Sequence, residues 1–420
     1  MDATAAHPAP VEGFAVTGWM HHLGGFIARH PRLWIALGNL ETRTVREAIA
    51  DVRVEKPVYI AGLARSGSTI LLETLAMHPA VGTHRYRDYP PVFTPYWWNR
   101  WLDRLPRRRE VPTERSHQDG IAVTSESPEA FEEVLWMGFF PTLHDPMRGA
   151  VLDAATPLPE GFAAFYRDHI RKLLAVRGRE RYVAKGNYNV TRLALLARMM
   201  PDARFLIPVR NPVWHVASLM KQQALFVRGQ TGNPRALKHL QRVGHFEFGL
   251  DRRPINTGDA GAVAAVMALW RQGDEVRGWA RYWALVHRHL ADLLERDPEV
   301  ASRAKIVRYE SLCGAPARVI GEVLRHCALP PDDGLIAHAA HHIRFPGYYR
   351  PRFSPDELAV IREETEAVAQ RFGYPPLRHR PVGAAAERVR PLIPAAVRRA
   401  LAGRPHPCIH GVSTGQRGKR

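Results

Sequence analysis

Eight residues constrain this 420-residue chain more than any other stretch: Gly62-Leu63-Ala64-Arg65-Ser66-Gly67-Ser68-Thr69. They follow a short apolar run, Val58-Tyr59-Ile60-Ala61, and lead directly into a helical pattern from Thr69 to Met77. A strand, a Gly-x4-Gly-x-Ser/Thr turn and a helix, in that order, make a phosphate-loop frame. Its backbone N–H groups and helix dipole cradle an anion. A glycine-serine turn without a ligand is the plainer alternative. Ser68 stands where a nucleotide hydrolase carries its phosphate lysine, and the cation is instead Arg65, inside the loop. No second-strand acid suited to magnesium is evident. Both features count against an ATP or GTP hydrolase, whose metal bridges the terminal phosphates. They also place a P-loop kinase second.

Strand and helix signals alternate along the body. Arg181-Tyr182-Val183-Ala184, the run from Arg204 to Val209 and the run from Lys305 to Tyr309 read as further strands. Helical patterns follow each, over about 190–200, after Pro212 and over about 316–326. The predicted fold is α/β, a P-loop-type parallel sheet covered by helices, with helical insertions. Trp279, Tyr282, Trp283, Val286, Leu290, Leu293 and Leu294 share one helical face and read as core. Residues 14–50 look helical, and 222–275, rich in Gly and Arg, reads as an insertion. The expected divisions are an N-terminal helical segment at 1–50, the α/β domain at 51–375 and a basic tail at 376–420.

The third strand ends Val209-Arg210-Asn211-Pro212. Asn211 is a favourable N-cap and Pro212 suits the first helical position. Arg210 therefore lies at a strand's carboxyl end with Ser218 on the second turn beyond it. One phosphate can be held by both, the arginine as a planar fork and the serine as a hydroxyl donor.

These residues together resemble sulfotransferases that use 3′-phosphoadenosine 5′-phosphosulfate (PAPS). Arg65-Ser66-Gly67-Ser68-Thr69 is similar to their 5′-phosphosulfate loop, and Arg210-Asn211-Pro212 with Ser218 to their 3′-phosphate motif. Val307-Arg308-Tyr309-Glu310-Ser311-Leu312 resembles a further strand-end pattern, V-x-Y-E-x-L, and Phe372-Gly373-Tyr374 the ending of bacterial members. The likeness runs from about Pro57 to Tyr374. It implies PAPS as donor, no metal, and sulfuryl transfer to a hydroxyl or amine of a small-molecule or carbohydrate acceptor. Arg344, in Arg344-Phe345-Pro346-Gly347-Tyr348-Tyr349-Arg350, falls where relatives carry a basic loop over the cofactor. Lys185 resembles a lysine beside the transfer site, and Asn187 takes the place of the family's histidine, so the base comes from elsewhere. The resemblance puts it just after the loop helix. There His84 matches by its distance from Gly82, while Asp88 is either the base or the partner that orients His84. Glu132 and Glu129 are the remaining candidates; with Glu133 they equally fit an acidic first helical turn.

Lys and Arg outnumber Asp and Glu 59 to 41. From Pro376 onward ten basic residues face one acid, so half of the +18 net charge lies in the last tenth of the chain. A basic tail of this kind contacts anionic surfaces or is simply solvated. No nucleic-acid motif accompanies it, and nucleic acid is not an expected partner. Tyr96-Trp97-Trp98 and the basic run 104–109 read either as lining for an acidic ligand or as a solvated loop. Three cysteines, Cys313, Cys327 and Cys408, form no disulfide or zinc pattern. With no secretory or membrane-spanning signal recognised, a cytoplasmic location is expected.

Overall fold

In the computed structural model, which describes residues 13–106, 110–346 and 350–376, the strands are β1 (Val58–Ala61), β2 (Val81–Gly82), β3 (Thr113–Glu114), β4 (Ala122–Val123), β5 (Arg181–Gly186), β6 (Arg204–Val209) and β7 (Ala304–Arg308). Five of them form a sheet in the order β2-β5-β1-β6-β7, and every neighbouring pair is parallel. β3 and β4 make a small antiparallel hairpin apart from it. Parallel strands need helical crossovers, so both sheet faces must be apolar. Tyr59, Ala61, Tyr182, Ala184, Phe205 and Ile207 pack into one core, and Val58, Ile60, Val183, Leu206 and Val307 into another. Period-two alternation therefore reads as near-continuous apolar runs, which is what made these strands legible.

β1 is central, flanked by β5 and β6, and helix Ser68–Ala76 follows it at once. The crevice outside the carboxyl ends of such strands is where open α/β sheets take ligands. Behind the sheet lies helix Glu275–Arg296, whose Trp279, Tyr282 and Trp283 are fully buried as core. Helix Pro355–Arg371 packs on it, held by a capping box between Ser354 and Glu357 and by the Arg281–Glu364 ion pair at 2.6 Å.

The N-terminal helices Gly18–Arg29 and Pro31–Thr44 are tied into the body. Lys172 and Glu41 pair at 2.8 Å with both side chains fully buried, and Lys172 Nζ also donates to the Gly38 carbonyl. The predicted helix at 190–200 begins as a 3-10 turn, Asn187–Thr191, before Leu193–Met199. The insertion is more regular than its periodicity indicates. Helix Pro212–Gln230 runs into it, then Pro234–Arg242 and Ala260–Arg271 follow. Between the last two, Gly244, Gly249 and Gly258 take positive φ and bend an irregular segment back towards the sheet. No helix among the described residues is long and apolar enough to cross a membrane. The tail from Leu377, Arg107 to Arg109 and Gly347 to Tyr349 lie outside the described residues.

Candidate active site

The phosphate loop is shaped by what surrounds it. Gly67 has φ +99°, and a Cβ there would stand 2.7 Å from the Tyr309 ring. A Cβ on Gly62 would stand 2.7 Å from Pro208 Cγ. The loop thus threads between β6 and Tyr309, and only glycine passes at these two points. Arg65 holds φ +72°, a left-handed conformation that bulky residues avoid. From below, His215 Nε2 meets the Ala64 carbonyl at 2.7 Å, while Trp283 Nε1 donates to His215 Nδ1 at 3.0 Å. An indole N–H only donates, so Nε2 carries the imidazole proton and donates it to the loop. Burial, with the neighbouring His287, pushes His215 well below the ordinary histidine range and keeps it neutral. The first N–H groups of helix Ser68–Ala76 have no intrahelical partner. Ser66 Oγ is buried beside them and meets no hydrogen-bond partner among the described residues. This is a cradle with unmet donors.

A second set of groups arrives from β6. Asn211 caps helix Pro212–Gln230, its side chain accepting the Val213 N–H at 3.0 Å. Arg210 is buried at the strand's end, over the Tyr309 ring at 4.5 Å, and Nη1 donates to the Arg65 carbonyl at 3.3 Å. Ser218 Oγ accepts from Arg65 Nε at 3.2 Å. Glu310 takes the Asn211 N–H at 2.9 Å and lies 2.7 Å from the Tyr374 hydroxyl. The V-x-Y-E-x-L and Phe-Gly-Tyr segments therefore brace Arg210 and the loop, with Tyr309 and Glu310 as the contact points.

Loop and strand ends open on a cavity of about 340 Å³. Arg65, Gly67, Ser68, Thr69, Lys185, Asn187, Arg210 and Arg344 line it. Ser66 and Ser218 are buried next to these residues. Three further contributions were not foreseen. Arg115 and Asp119, from the β3–β4 hairpin, line the cavity. Asp119 Oδ2 takes Arg65 Nη1 at 2.7 Å and Arg115 Nη2 at 2.5 Å. Burial opposes its charge, but Arg115 and Arg65 hold the carboxyl well below the usual range. Glu73, one turn into the loop helix, lines the cavity too. Burial pushes its carboxyl up to about 7, against the pull of Arg115. His245 and Glu247 come from the glycine-bent segment of the insertion. Helical spacing from Thr69 to Glu73 was the one available signal for Glu73. The others depend on long-range placement.

His84 and Asp88 are brought together, but not to this cavity. β2 is two residues long, and the chain then turns beneath helix Phe162–Arg177. His84 is 2% exposed and stacked on His169, with the two Nε2 atoms 3.2 Å apart. Asp88 Oδ2 lies 3.5 Å from His84 Nδ1, while Oδ1 takes Arg177 at 2.5 Å and Asn99 at 2.8 Å. Burial raises this carboxyl's pKa, but His84 and Arg177 bring it well below the usual range. The pair is part of a buried tether between β2 and its covering helix. Glu132 is equally enclosed, accepting the Tyr166 and Tyr182 hydroxyls, and burial raises its pKa. Glu129 accepts the Ala130 N–H and acts on Lys185, whose ammonium pKa burial lowers. Helix Pro95–Leu102, with Tyr96, Trp97 and Trp98, contributes nothing to the cavity lining. Among the described residues no cluster of three His, Cys, Asp or Glu side chains is arranged to hold a metal.

Residues 57–251 match the model of a sulfotransferase family. No curated protein matches the chain. Among solved structures, sulfotransferase STF9 from Mycobacterium avium is 15% identical, with 84% of this chain and 86% of that one covered and a TM-score of 0.47. Sulfotransferase STF1 from Mycobacterium tuberculosis is 19% identical, with 86% and 87% covered and a TM-score of 0.43. Likenesses this distant carry no functional reading by themselves.

Proposed function

We propose that this chain, whose residues 57–251 match a sulfotransferase family model, transfers a sulfuryl group from PAPS to a hydroxyl or amine of a small-molecule acceptor. The observation that carries this reading is the pairing of two anion sites across one strand boundary. The β1 loop presents unmet N–H groups and Arg65, with Ser66 Oγ buried beside them, and β6 presents Arg210 beside Ser218. Two anion sites linked through two hydrogen bonds of Arg65 suit a nucleotide with phosphates at both its 5′ and 3′ positions.

The residues present fit such a donor. Ser66, Gly67, Ser68 and Thr69 hold the 5′ end at the helix N-terminus, where the dipole favours negative charge. Arg210 and Ser218 read the 3′-phosphate, with Arg344, which lines the same cavity, as a second cation. The donor supplies an activated sulfuryl group whose leaving group is a phosphate. Arg65 and the loop N–H groups stabilise the charge that grows on the bridging oxygen, without a metal. Lys185 presents a second cation beside the loop. The acceptor oxygen bonds to sulfur as the sulfur–oxygen bond to phosphate breaks, and the acceptor proton passes to a carboxylate. Glu73 is the carboxylate proposed for that role, because it faces the cavity and burial sets its pKa near 7, where proton transfer is efficient. Incubation with ³⁵S-labelled PAPS tests the reading. Protein-dependent release of label as sulfate ester, sulfamate or free sulfate, with adenosine 3′,5′-bisphosphate as co-product, is expected. Label left intact across an acceptor panel and in water contradicts it.

A further inference from the structure

The residues that line the cavity on the β5 side include two buried acceptor atoms that meet no hydrogen-bond donor among the described residues. Asn187 follows β5 directly, and its Nδ2 donates to Glu247 Oε1 at 2.5 Å. An ionised carboxylate only accepts, so the amide nitrogen must face it and Asn187 Oδ1 is turned away. Oδ1 is buried and meets no donor among the described residues. Glu247 Oε2 has no hydrogen-bond partner there either, its nearest ring nitrogen being His245 Nδ1 at 3.5 Å. Glu247 is 2% exposed and Asn187 7%. Burial works against the Glu247 charge, but the His245 ring and the Asn187 amide bring its pKa below the ordinary carboxylate value. Leaving a buried acceptor unmet is costly, and a donor on a ligand restores the loss.

Sheet register fixes where this wall stands. Ile60 is opposite Lys185 and Ala61 opposite Gly186, so Asn187 emerges beside the phosphate loop on the side away from β6. The β6 side offers Arg210. On the β5 side Lys185 is acted on by three carboxylates, Glu129, Glu247 and Asp119. Arg115 is engaged by Asp119. Phe248 lines the same cavity and adds an apolar surface.

We propose that the β5 side of the cavity is the acceptor subsite, built for a compact hydroxylated compound whose non-reacting part is neutral or cationic, and that Glu247 turns carboxylated acceptors away. Its donors satisfy Glu247 Oε2 and Asn187 Oδ1 while its hydroxyl faces the phosphate loop. This assignment rests on the sulfuryl-transfer reading. It is tested with three phenols that differ at the remote end: tyramine, 4-ethylphenol and 4-hydroxyphenylacetate. Adenosine 3′,5′-bisphosphate is titrated first and separately, and each phenol is then titrated into the loaded protein by calorimetry. Tyramine is expected to bind about ten-fold or more tighter than 4-hydroxyphenylacetate, with 4-ethylphenol between; ten-fold corresponds to about 1.4 kcal/mol. Glu247→Gln is expected to bring the three within about three-fold of one another, and its melting curve checks that it folds. Asn187→Ala is expected to weaken tyramine, whose ammonium alone among the three can donate to Oδ1, and to leave 4-ethylphenol within about two-fold. Equal or tighter binding of 4-hydroxyphenylacetate, or the same order in folded Glu247→Gln, overturns the assignment. If the bisphosphate does not bind, the donor reading fails on its own; the phenols are then compared on the protein alone, where the same order is expected.

Discussion

The two sides of the phosphate loop are built differently. On the β6 side, Arg210, Asn211 and Ser218 lie within nine residues of one another, and Tyr309, Glu310 and Tyr374 brace them. Strand end, cap and helix follow in sequence, so the geometry is local and the chemistry is cationic. On the β5 side, Lys185 and Asn187 are local to the sheet, while Arg115, Asp119, His245 and Glu247 arrive from a hairpin and an insertion. That side is assembled over long chain separations and is rich in carboxylates. A generic anion site needs only a strand end and a helix start. A site that selects its ligand draws on segments the core does not dictate.

Changes on either side should separate binding from turnover. The largest effect is expected at Glu73. Glu73→Gln should cut turnover by about 10²–10⁴-fold, the usual worth of a positioned proton acceptor, with little change in bisphosphate affinity. The wild-type rate should rise as pH increases through about 7, and the variant should lose that limb. The linked stability effect has a definite sign. Glu73 rises from an ordinary 4.5 to about 7 on folding, so the native state favours the protonated form. What it contributes is fully present below about pH 4.5 and lost as pH rises through 7. Glu73→Gln should therefore melt higher than wild type at pH 8, by about 1–2 kcal/mol after allowance for solvent screening. An unchanged rate profile would remove Glu73 from proton transfer.

Next comes Arg65. Arg65→Ala should lower turnover by about 10²–10³-fold and raise the Michaelis constant less, because the interaction strengthens as charge reaches the bridging oxygen. A raised Michaelis constant with normal turnover would make Arg65 a binding residue instead. Arg210→Ala should weaken bisphosphate binding by about 1.5–3 kcal/mol, while adenosine 5′-phosphosulfate, which has no 3′-phosphate, should be nearly indifferent. Equal loss for both ligands would mean that Arg210 does not distinguish the two ends.

The smallest effect on catalysis is expected from His84→Ala. It removes a buried neighbour of Asp88 and should destabilise the fold by about 1–3 kcal/mol, seen in denaturant titration. Turnover of the folded variant should stay within a few-fold of wild type. A turnover collapse in a well-folded His84→Ala protein would move the chemistry to the β2 edge.

The contrast also explains what the sequence disclosed. β1, β5 and β6 were legible because both of their faces are apolar and each gives way to glycine or to the Asn211 cap, and β7, a half-buried edge strand, by its Ile306 and Val307. Arg65, Arg210 and Arg344, which the motifs singled out, line one cavity, and Ser218 Oγ accepts from Arg65. His84 was chosen by its distance from Gly82, but distance along a chain does not fix direction. Two residues of β2 leave the ring under helix Phe162–Arg177, against His169. Glu247 and Asp119 carried no sequence signal, since a carboxylate in a loop is ordinarily solvated. Only the glycine bends at Gly244 and Gly249, and the pairing of Asp119 with Arg65, give them a place in the site.

The central claim is that the two anion sites flanking the β1–β6 boundary hold one doubly phosphorylated nucleotide. Thermal melting with adenosine 3′,5′-bisphosphate, compared with ATP in magnesium, tests it most directly. At about 100 times its dissociation constant the bisphosphate should add roughly 2.7 kcal/mol of stability. ATP with magnesium should add far less, and Arg210→Ala should remove most of the bisphosphate effect. Stabilisation by ATP and magnesium with none from the bisphosphate would contradict the account and move the phosphate loop to phosphoryl chemistry.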